Sequence, residues 1–268
     1  MSVPENLNKV TRPPAVAGFF YPADNGELQL MVRQLMEHTK LKTVPPKAII
    51  APHAGYIYSG PTAAIAYSSL QPLREKINRV ILLGPAHRVY LRGLALSSAT
   101  HFATPMGDIE IDQPAIKLIK DLPQVSISDI AHQQEHSLEV QLPFLQYLLE
   151  KFHLVPLVVG DSSPEDVAEV LDVLWGGEET AIVISSDLSH YHDYDTARRV
   201  DAATTHAIEN LDLEKIGPNQ ACGCMPIRGL LQLARKKNLC VHTLDLRNSG
   251  DTAGTKDRVV GYGAWSFN

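Results

Sequence analysis

Short apolar runs alternate with longer amphipathic stretches along most of the chain, which predicts strands alternating with helices. The clearest apolar run is 181–184, Ala-Ile-Val-Ile, followed at once by Ser185-Ser186-Asp187-Leu188-Ser189-His190. Four apolar residues in a row, three of them β-branched, predict a strand that is buried on both faces. Further strands are predicted at 47–52, 79–84, 91–97, 155–160, 241–246 and 259–267.

Helices are predicted between these strands from apolar spacing and from capping residues. Ser163 followed by Pro164 and two acidic residues predicts a helix start, because a cap, a proline and negative charge all suit that end. Ser137 is a candidate cap for a helix over 138–149, in which Pro143 predicts either a kink or the real start. Other helices are predicted at 26–39, from Ser59 or Thr62 onward, and at 114–122, 195–211 and 226–237.

The order of these elements favours one α/β domain over residues 1–268, with a largely parallel central sheet flanked by helices. No linker, repeat or low-complexity segment divides the chain. We expect residues 1–12 to form a flexible tail. Pro156 indicates an early or edge position for its strand, because proline cannot donate to a central ladder.

Composition narrows the class of protein. Of 268 residues, 44% are hydrophobic and 20% charged, which is typical of a soluble globular protein. No apolar run approaches the roughly 20 residues that span a bilayer, and the start of the chain lacks the features of a signal peptide. A net charge of −6 argues against nucleic-acid binding. Three cysteines leave no disulfide framework, so we expect a cytoplasmic protein.

Chemically active residues follow three of the apolar runs. His53 follows the run at 47–52, His87 follows that at 79–84, and Asp187 and His190 follow 181–184. Because the carboxyl ends of parallel strands face one edge of a sheet, these residues are expected to converge. Two or three imidazoles with a carboxylate or thiolate make a site for Fe(II) or Zn(II). The alternative for each histidine is an ordinary hydrogen-bonded rim residue.

Cys222 is a further candidate because it lies just before the helix predicted from Pro226. A helix N-terminus stabilises a thiolate, so Cys222 is a candidate metal ligand or redox-active nucleophile, the alternative being an inert buried cysteine. Cys224 gives the spacing C-x-C rather than C-x-x-C. Serine hydrolase chemistry at Ser59 or Ser137 is disfavoured because no G-x-S-x-G motif is present.

Taken together, several segments resemble the Memo family, also called AmmeMemoRadiSam system protein B. They are spread over nearly the whole chain and keep the order of the family. The matching segments are 12–22, 51–56, 83–87, 135–139, 185–190, 221–223 and 261–263.

The resemblance implies a fold similar to that of the LigB-type class III extradiol dioxygenases, which are non-haem iron enzymes. It also implies the residues of the site. His53 and His87 match the two metal-binding histidines of the family, and Cys222 matches its cysteine. The remaining pocket residues are matched by His136, Asp187 and His190.

The site departs from that of the dioxygenases, which complete a two-histidine site with a carboxylate where this chain offers Cys222. A thiolate is softer and oxidisable, which shifts the preference towards Cu(I), Zn(II) or a sulfur-tolerant iron site. The resemblance to non-haem iron enzymes still implies Fe(II) if a metal is bound, with copper and zinc as alternatives. Cys224 is additional to the family pattern and has no predicted role.

Two functions follow from the resemblance. The first is a metal-dependent redox or dioxygenase-like enzyme, in which His136 or His190 acts as acid or base and Asp187 is a ligand or orienting partner. The alternative is a non-catalytic protein that binds a metal or a peptide, or serves as a scaffold, through the same pocket. The expected ligands are a small molecule or a peptide. The family name also implies an Amme-type protein and a radical SAM protein as partners.

Overall fold

The computed structural model describes residues 9–37, 39 and 44–268. Within them the strands are β1 Thr11–Arg12, β2 Ala48–Ala51, β3 Arg79–Pro85, β4 Leu94–Leu96, β5 His101–Thr104, β6 Gly107–Glu110, β7 Val125–Ile127, β8 His153–Val159, β9 Thr180–Ser185, β10 His190–His192, β11 Val241–Asn248 and β12 Val259–Phe267. The helices are α1 Asn25–Glu37, α2 Tyr56–Ser68, α3 Gln113–Ile119, α4 Asp129–Gln133, α5 Leu142–Leu148, α6 Pro164–Val173, α7 Tyr194–Glu209 and α8 Cys224–Lys237. Single 3-10 turns lie at Gln71–Leu73, Glu139–Gln141, Leu213–Lys215 and Ser249–Asp251.

The predicted α/β architecture is confirmed. Within the described residues, a nine-stranded sheet has the order β10-β12-β2-β9-β3-β8-β4-β7, and β11 pairs with β12. Its four central strands, β2, β9, β3 and β8, are parallel. Strand β12 runs antiparallel to β2, and β4 runs antiparallel to β8. A separate three-stranded sheet has the order β1-β5-β6, and its strand β6 contacts β8 of the large sheet.

The apolar runs form the buried core. Every residue of β2 and β9 is buried, as expected for parallel strands that are covered on both faces. Helix α8 packs against β3 and β9, whereas α2 packs against β2 and β12. Each large aliphatic side chain buried in this way contributes about 1.5–3 kcal/mol relative to an exposed one. This core fixes the strand ends from which the candidate site projects.

The prediction that residues 1–12 form a flexible tail is wrong for the last residues of that range. Residues 1–8 lie outside the described part, but Thr11–Arg12 forms β1, which pairs with β5. The side chain of Arg12 is buried and forms an ion pair with Glu139. This contact spans 127 residues of sequence, so local composition gave no sign of it.

Two helix predictions are corrected by local backbone contacts. Helix α2 begins at Tyr56 rather than at Ser59 or Thr62, and the amide of Tyr56 donates to the Phe20 carbonyl. Ser137 does not cap the following helix, because a 3-10 turn intervenes before α5 begins. Pro143 lies in the first turn of α5 and so marks its real start, where its missing N–H costs nothing.

Pro156 is not at a sheet edge, because β8 lies between β3 and β4. It is opposite Leu82 of β3, while the short β4 pairs only with Val158 and Val159 of this strand. The missing N–H is therefore tolerated where the neighbouring strand does not extend. Among the described residues, no helix has the length and apolar character needed to cross a bilayer.

Candidate metal centre

Three imidazole side chains meet beyond the carboxyl ends of the central strands. His53 and His87 each lie two residues after a strand, β2 and β3 respectively, and His136 lies in the segment between α4 and α5. One ligand nitrogen from each histidine falls in a group whose members are all within 4.8 Å of one another. The sequence predicted that His53 and His87 would converge, and they do so across the end of the intervening strand β9.

His53 is buried, and its orientation is fixed by Ser185 at the end of β9. The Nδ1 atom of His53 lies 2.8 Å from the hydroxyl oxygen of Ser185. That hydroxyl donates to the Ser137 carbonyl at 2.6 Å and accepts from the side-chain amide of Gln141 at 2.8 Å. Its remaining lone pair therefore accepts from His53 Nδ1–H. This leaves Nε2 of His53 unprotonated, which is the form that binds a metal.

His87 is oriented in the same way by the buried carboxylate of Glu135. Nδ1 of His87 lies 2.9 Å from Oε1 of Glu135, and the backbone amide of His87 donates to Oε2 at 2.6 Å. The amides of His136 and Ser137 also donate to Oε1, each at 2.9 Å. Burial alone would raise the pKa of Glu135, but the hydrogen bonds from the side chain and amide of His87 and from the amide of Ser137 lower it to about 2. The ionised carboxylate thus keeps the proton of His87 on Nδ1 and leaves Nε2 unprotonated, so that Nε2 can bind a metal.

His136 carries a buried nitrogen without a hydrogen-bond partner in the described residues. Its Nδ1 makes no hydrogen bond, although Oε1 of Glu135 lies 3.4 Å away. Burial lowers the pKa of His136 to about 4, helped by the positive charge of Arg88 and against the opposing effect of Glu135. Burial and its histidine neighbours also hold the pKa of His53 well below its usual value. Both imidazoles are therefore neutral at pH 7, as metal ligands must be.

Cys222 lies beside this group. Its Sγ is 3.3 Å from Nε2 of His53 and accepts from the amide of Asp187 at 3.3 Å. A nitrogen and a sulfur bound to one ion at about 2.1 and 2.3 Å are about 3.1–3.6 Å apart when their bonds meet at 90–110°. The observed separation therefore fits two adjacent ligands of one ion.

The expected stabilisation of a thiolate by the helix N-terminus is outweighed by the surroundings of Cys222. Helix α8 begins at Cys224, two residues after Cys222. Burial and the negative charge of Asp187 raise the pKa of the Cys222 thiol. Only a positive ion placed at Sγ reverses this balance, because coordination deprotonates a thiol outright. Cys224 is itself buried at the start of the helix.

Asp187 and His190 complete the set of residues expected from the sequence. Oδ1 of Asp187 accepts from the backbone amide of His53 at 2.8 Å, so this carboxylate holds the turn that carries the histidine. Burial raises the pKa of Asp187. Nδ1 of His190 lies 2.8 Å from the Leu188 carbonyl and must be the protonated nitrogen, since a carbonyl only accepts. Nε2 of His190 is then free to exchange a proton with a ligand.

Two cavities open from the site. One of about 560 Å³ is lined by His136, Asp187 and His190, among others. The second, of about 740 Å³, is lined by His87, His190 and Cys222. His190 borders both. The structure thus brings together all six residues expected from the sequence.

The hydrogen-bonding partners Glu135, Ser185 and Gln141 were not predicted to have these roles. The one available signal was the glutamate directly before His136, in a polar segment without glycine. Ser185 contacts His53 across 132 residues of sequence, and Gln141 contacts Ser185 across 44. Such contacts exist only in the folded sheet.

The fold and site define an α/β protein with a three-histidine group and an adjacent cysteine at the carboxyl edge of a parallel sheet. A family model described as "Memo-like protein" matches residues 12–266. The chain belongs to the Memo family, as its motifs predicted.

Two MEMO1 family proteins that match over most of the chain support this assignment. A MEMO1 family protein of Aquifex aeolicus is 38% identical over 265 residues, covering 94% of this chain and 97% of that protein. A MEMO1 family protein of Metallosphaera sedula is 34% identical, with coverage of 96% and 99%. Among solved structures, an uncharacterized protein, JW3007, of Escherichia coli K12 gives a TM-score of 0.47 at 14% identity, over 80% of this chain and 98% of that one.

Proposed function

We propose that the protein is a non-haem metal enzyme with redox activity towards a small molecule. His53, His87 and His136 are its imidazole ligands, and Cys222 is a fourth donor beside them. The observation that carries this proposal is the fixed protonation of His53 and His87, whose Nδ1–H groups are held by Ser185 and Glu135. Partners of this kind orient metal-binding histidines and increase their basicity.

His136 changes role in this proposal. The sequence assigned it to acid–base chemistry, whereas its distance from His53 and His87 supports a role as a third ligand. Its buried, unpartnered Nδ1 also supports a positively charged ligand in the vicinity, since such a nitrogen is costly to leave unsatisfied. Acid–base chemistry then falls to His190, with Asp187 holding the adjacent turn.

Iron in the Fe(II) state is the proposed ion, because imidazole ligands with open positions are typical of non-haem iron sites. When bound, it would supply one-electron redox chemistry next to the two cavities. His190 borders both cavities with a free Nε2 and is placed to give a proton to a substrate or to take one from it. The buried walls formed by His53 and Ser185 exclude water from the inner side of the site.

The test is metal content after anaerobic reconstitution with Fe(II), measured by elemental analysis. We expect about one ion per chain in the wild type and strong loss in His53→Ala, His87→Ala and His136→Ala. His206→Ala is the matched control, because His206 is an exposed histidine on α7. No bound metal in the wild type, or equal retention in the site variants, would refute the proposal.

The same preparation separates an enzyme from the alternative of a non-catalytic binding protein. Redox turnover of a small molecule that requires both the metal and His190 supports the enzyme. A protein that binds the metal with high affinity but shows no metal-dependent oxygen or substrate consumption would favour a role in metal or peptide binding. Association with Amme-type and radical SAM proteins, and a cytoplasmic location, stay predictions from the sequence.

A further inference from the structure

The cavity of about 560 Å³ has unusually aromatic walls. Four aromatic side chains line it, and they come from separate parts of the chain: Phe20 before α1, Tyr58 from α2, Tyr191 from β10 and Tyr262 from β12. The ring of Phe20 lies 4.8 Å from that of His136, so this wall adjoins the metal group. The volume falls in the range of pockets that bind small organic molecules, about 300–1,000 Å³.

Only two lining side chains are formally charged, Arg258 and Asp187. Asp187 is buried and its carboxylate is already used by the amide of His53. Among the described residues, the Arg258 guanidinium forms no ion pair; it lies 5.0 Å from the ring centre of Tyr191 and interacts through charge with the exposed Asp257, which does not line the cavity. The accessible charge of the cavity is therefore positive. A guanidinium in this position suits a planar anion, which it binds through two parallel hydrogen bonds.

Tyr191 has a backbone conformation that its packing does not explain. Its φ is 63°, in the left-handed region that disfavours residues with a Cβ. It lies between His190 and His192, where the register of β10 against β12 is irregular. Its side chain is nevertheless 64% exposed, so the strained backbone is not compensated by burial. Strain and bulges of this kind cluster at ligand sites, where they aim a side chain.

The irregularity in β10 places the Tyr191 ring next to both His190 and Arg258. Its ring meets that of His190 edge-on, with the centres 5.7 Å apart, and it also lies beneath Arg258. A ligand seated on this ring would have a cation at one end and the proposed acid–base histidine beside it. The strain therefore has a ready explanation in ligand binding.

We infer that this cavity binds a small aromatic carboxylate, with the carboxylate on Arg258 and the ring against Tyr191 and Phe20. The inference rests on the proposed function, since it names the substrate class of the same site. It differs from that function in needing no metal. Binding can therefore be measured in metal-free protein, apart from metal content and turnover.

The experiment measures the affinity of three probes for metal-free protein by ligand-observed NMR and calorimetry. The probes are benzoate, its neutral analogue benzamide, and phenyl phosphate. We expect benzoate to bind about tenfold more tightly than benzamide, the scale of one charge-assisted hydrogen bond. Arg258→Gln should abolish this preference. Arg198→Gln is the matched control, because Arg198 is an exposed arginine above Tyr194 that does not line the cavity.

Two further variants distinguish ligand binding from a structural role of Tyr191. Tyr191→Gly relieves the left-handed backbone and removes the ring, so we expect an unchanged or higher unfolding midpoint with severalfold weaker benzoate binding. Tyr191→Phe should retain the affinity. A lower midpoint in Tyr191→Gly with unchanged benzoate affinity would show that the residue is structural and overturn the inference.

The remaining outcomes are equally decisive. Equal affinity for benzoate and benzamide overturns the inference, and it leaves the proposed function intact if the metal still binds. Tighter, Arg258-dependent binding of phenyl phosphate overturns it in favour of an aryl phosphate. Retained benzoate preference in a chain that binds no metal supports this inference and refutes the proposed function instead.

Discussion

Replacing Glu139 by glutamine should strongly destabilise the protein. The Glu139 carboxylate is fully buried and accepts hydrogen bonds from the Arg12 guanidinium, the Ala15 amide at 2.7 Å, the Val16 amide at 2.9 Å and the Tyr21 hydroxyl at 2.6 Å. The Glu139→Gln variant keeps the size of the side chain but removes its charge. We expect a loss of about 3–5 kcal/mol in the free energy of unfolding, as for other broken buried ion pairs.

The magnitude follows from what the substitution leaves behind. Arg12 is only 6% exposed, so water cannot solvate its charge once Glu139 is neutral. The side-chain amide of the glutamine would also direct its own N–H groups at the amides and the hydroxyl that donate hydrogen bonds to the Glu139 carboxylate. Tyr21→Phe is the smaller perturbation, because it removes one hydrogen bond to the carboxylate and should cost about 1.5–3 kcal/mol. Adding Arg12→Met to Glu139→Gln should recover stability, because the unpaired charge disappears.

The same substitution should also weaken metal binding. Arg12 donates from Nε to the His132 carbonyl at 3.0 Å and from Nη2 to the Glu135 carbonyl at 2.6 Å. An unpaired guanidinium will shift, and with it the segment that carries Glu135 and His136. Disturbing such supporting contacts typically costs 10–100-fold in metal affinity, so we expect a loss of at least about tenfold.

The assay is urea unfolding of the metal-free variants at pH 7, with metal affinity measured in parallel by competition with a chelator. A change below about 1 kcal/mol in Glu139→Gln would refute the claim that the ion pair is integral to the fold. A large loss of stability with unchanged metal affinity would refute only the link between Arg12 and the histidine segment.

Three other substitutions have expected outcomes in the same unfolding assay. Burial lowers the pKa of His132 from 6.5 to about 4, so between these pH values the unfolded chain binds more protons than the folded one. About 3 kcal/mol of the free energy of unfolding should therefore be lost as the pH falls from 6.5 to 4. His132→Gln should flatten this dependence of stability on pH, and an unchanged dependence contradicts the reasoning. Burial raises the pKa of Asp201 from 3.8 to about 6, so its stabilising neutral form is lost as the pH rises through 6. Asp201→Asn should therefore be more stable than the wild type at pH 7 but not at pH 3.5. Gly229→Ala should cost about 1–3 kcal/mol, because its Cβ would lie 2.3 Å from Cγ1 of Val167; a neutral effect would show that α6 and α8 separate freely.

The sequence was sufficient to predict the central strands and the residues that follow them, because buried parallel strands have a strong local pattern. His53, His87 and Asp187 each lie two residues beyond the end of a central strand. The rule that carboxyl ends of parallel strands share one edge therefore brought them together without knowledge of strand order. The family motifs supplied His136, and they assigned to the same site Cys222, which was already a candidate because it precedes a predicted helix.

The supporting contacts could not be predicted, because they join residues that are distant in sequence through the sheet order. Strand β9 lies between β2 and β3, although it is the last of the three in the chain. That strand order brings the Ser185 hydroxyl within hydrogen-bonding distance of Nδ1 of His53. Likewise, the ion pair of Arg12 with Glu139 turned an expected tail residue into part of the core.

These contacts make the two sides of the candidate centre a single hydrogen-bonded unit, and Ser137 is the residue that joins them. Its carbonyl accepts from Ser185 on the His53 side, and its amide donates to Glu135 on the His87 side. Its hydroxyl donates to the Pro85 carbonyl at the end of β3, at 2.9 Å. The orientations of His53 and His87 are thus set by one short segment rather than by two independent loops. Both imidazoles should therefore respond together when that segment moves, and metal affinity should depend on its position more than on either strand alone.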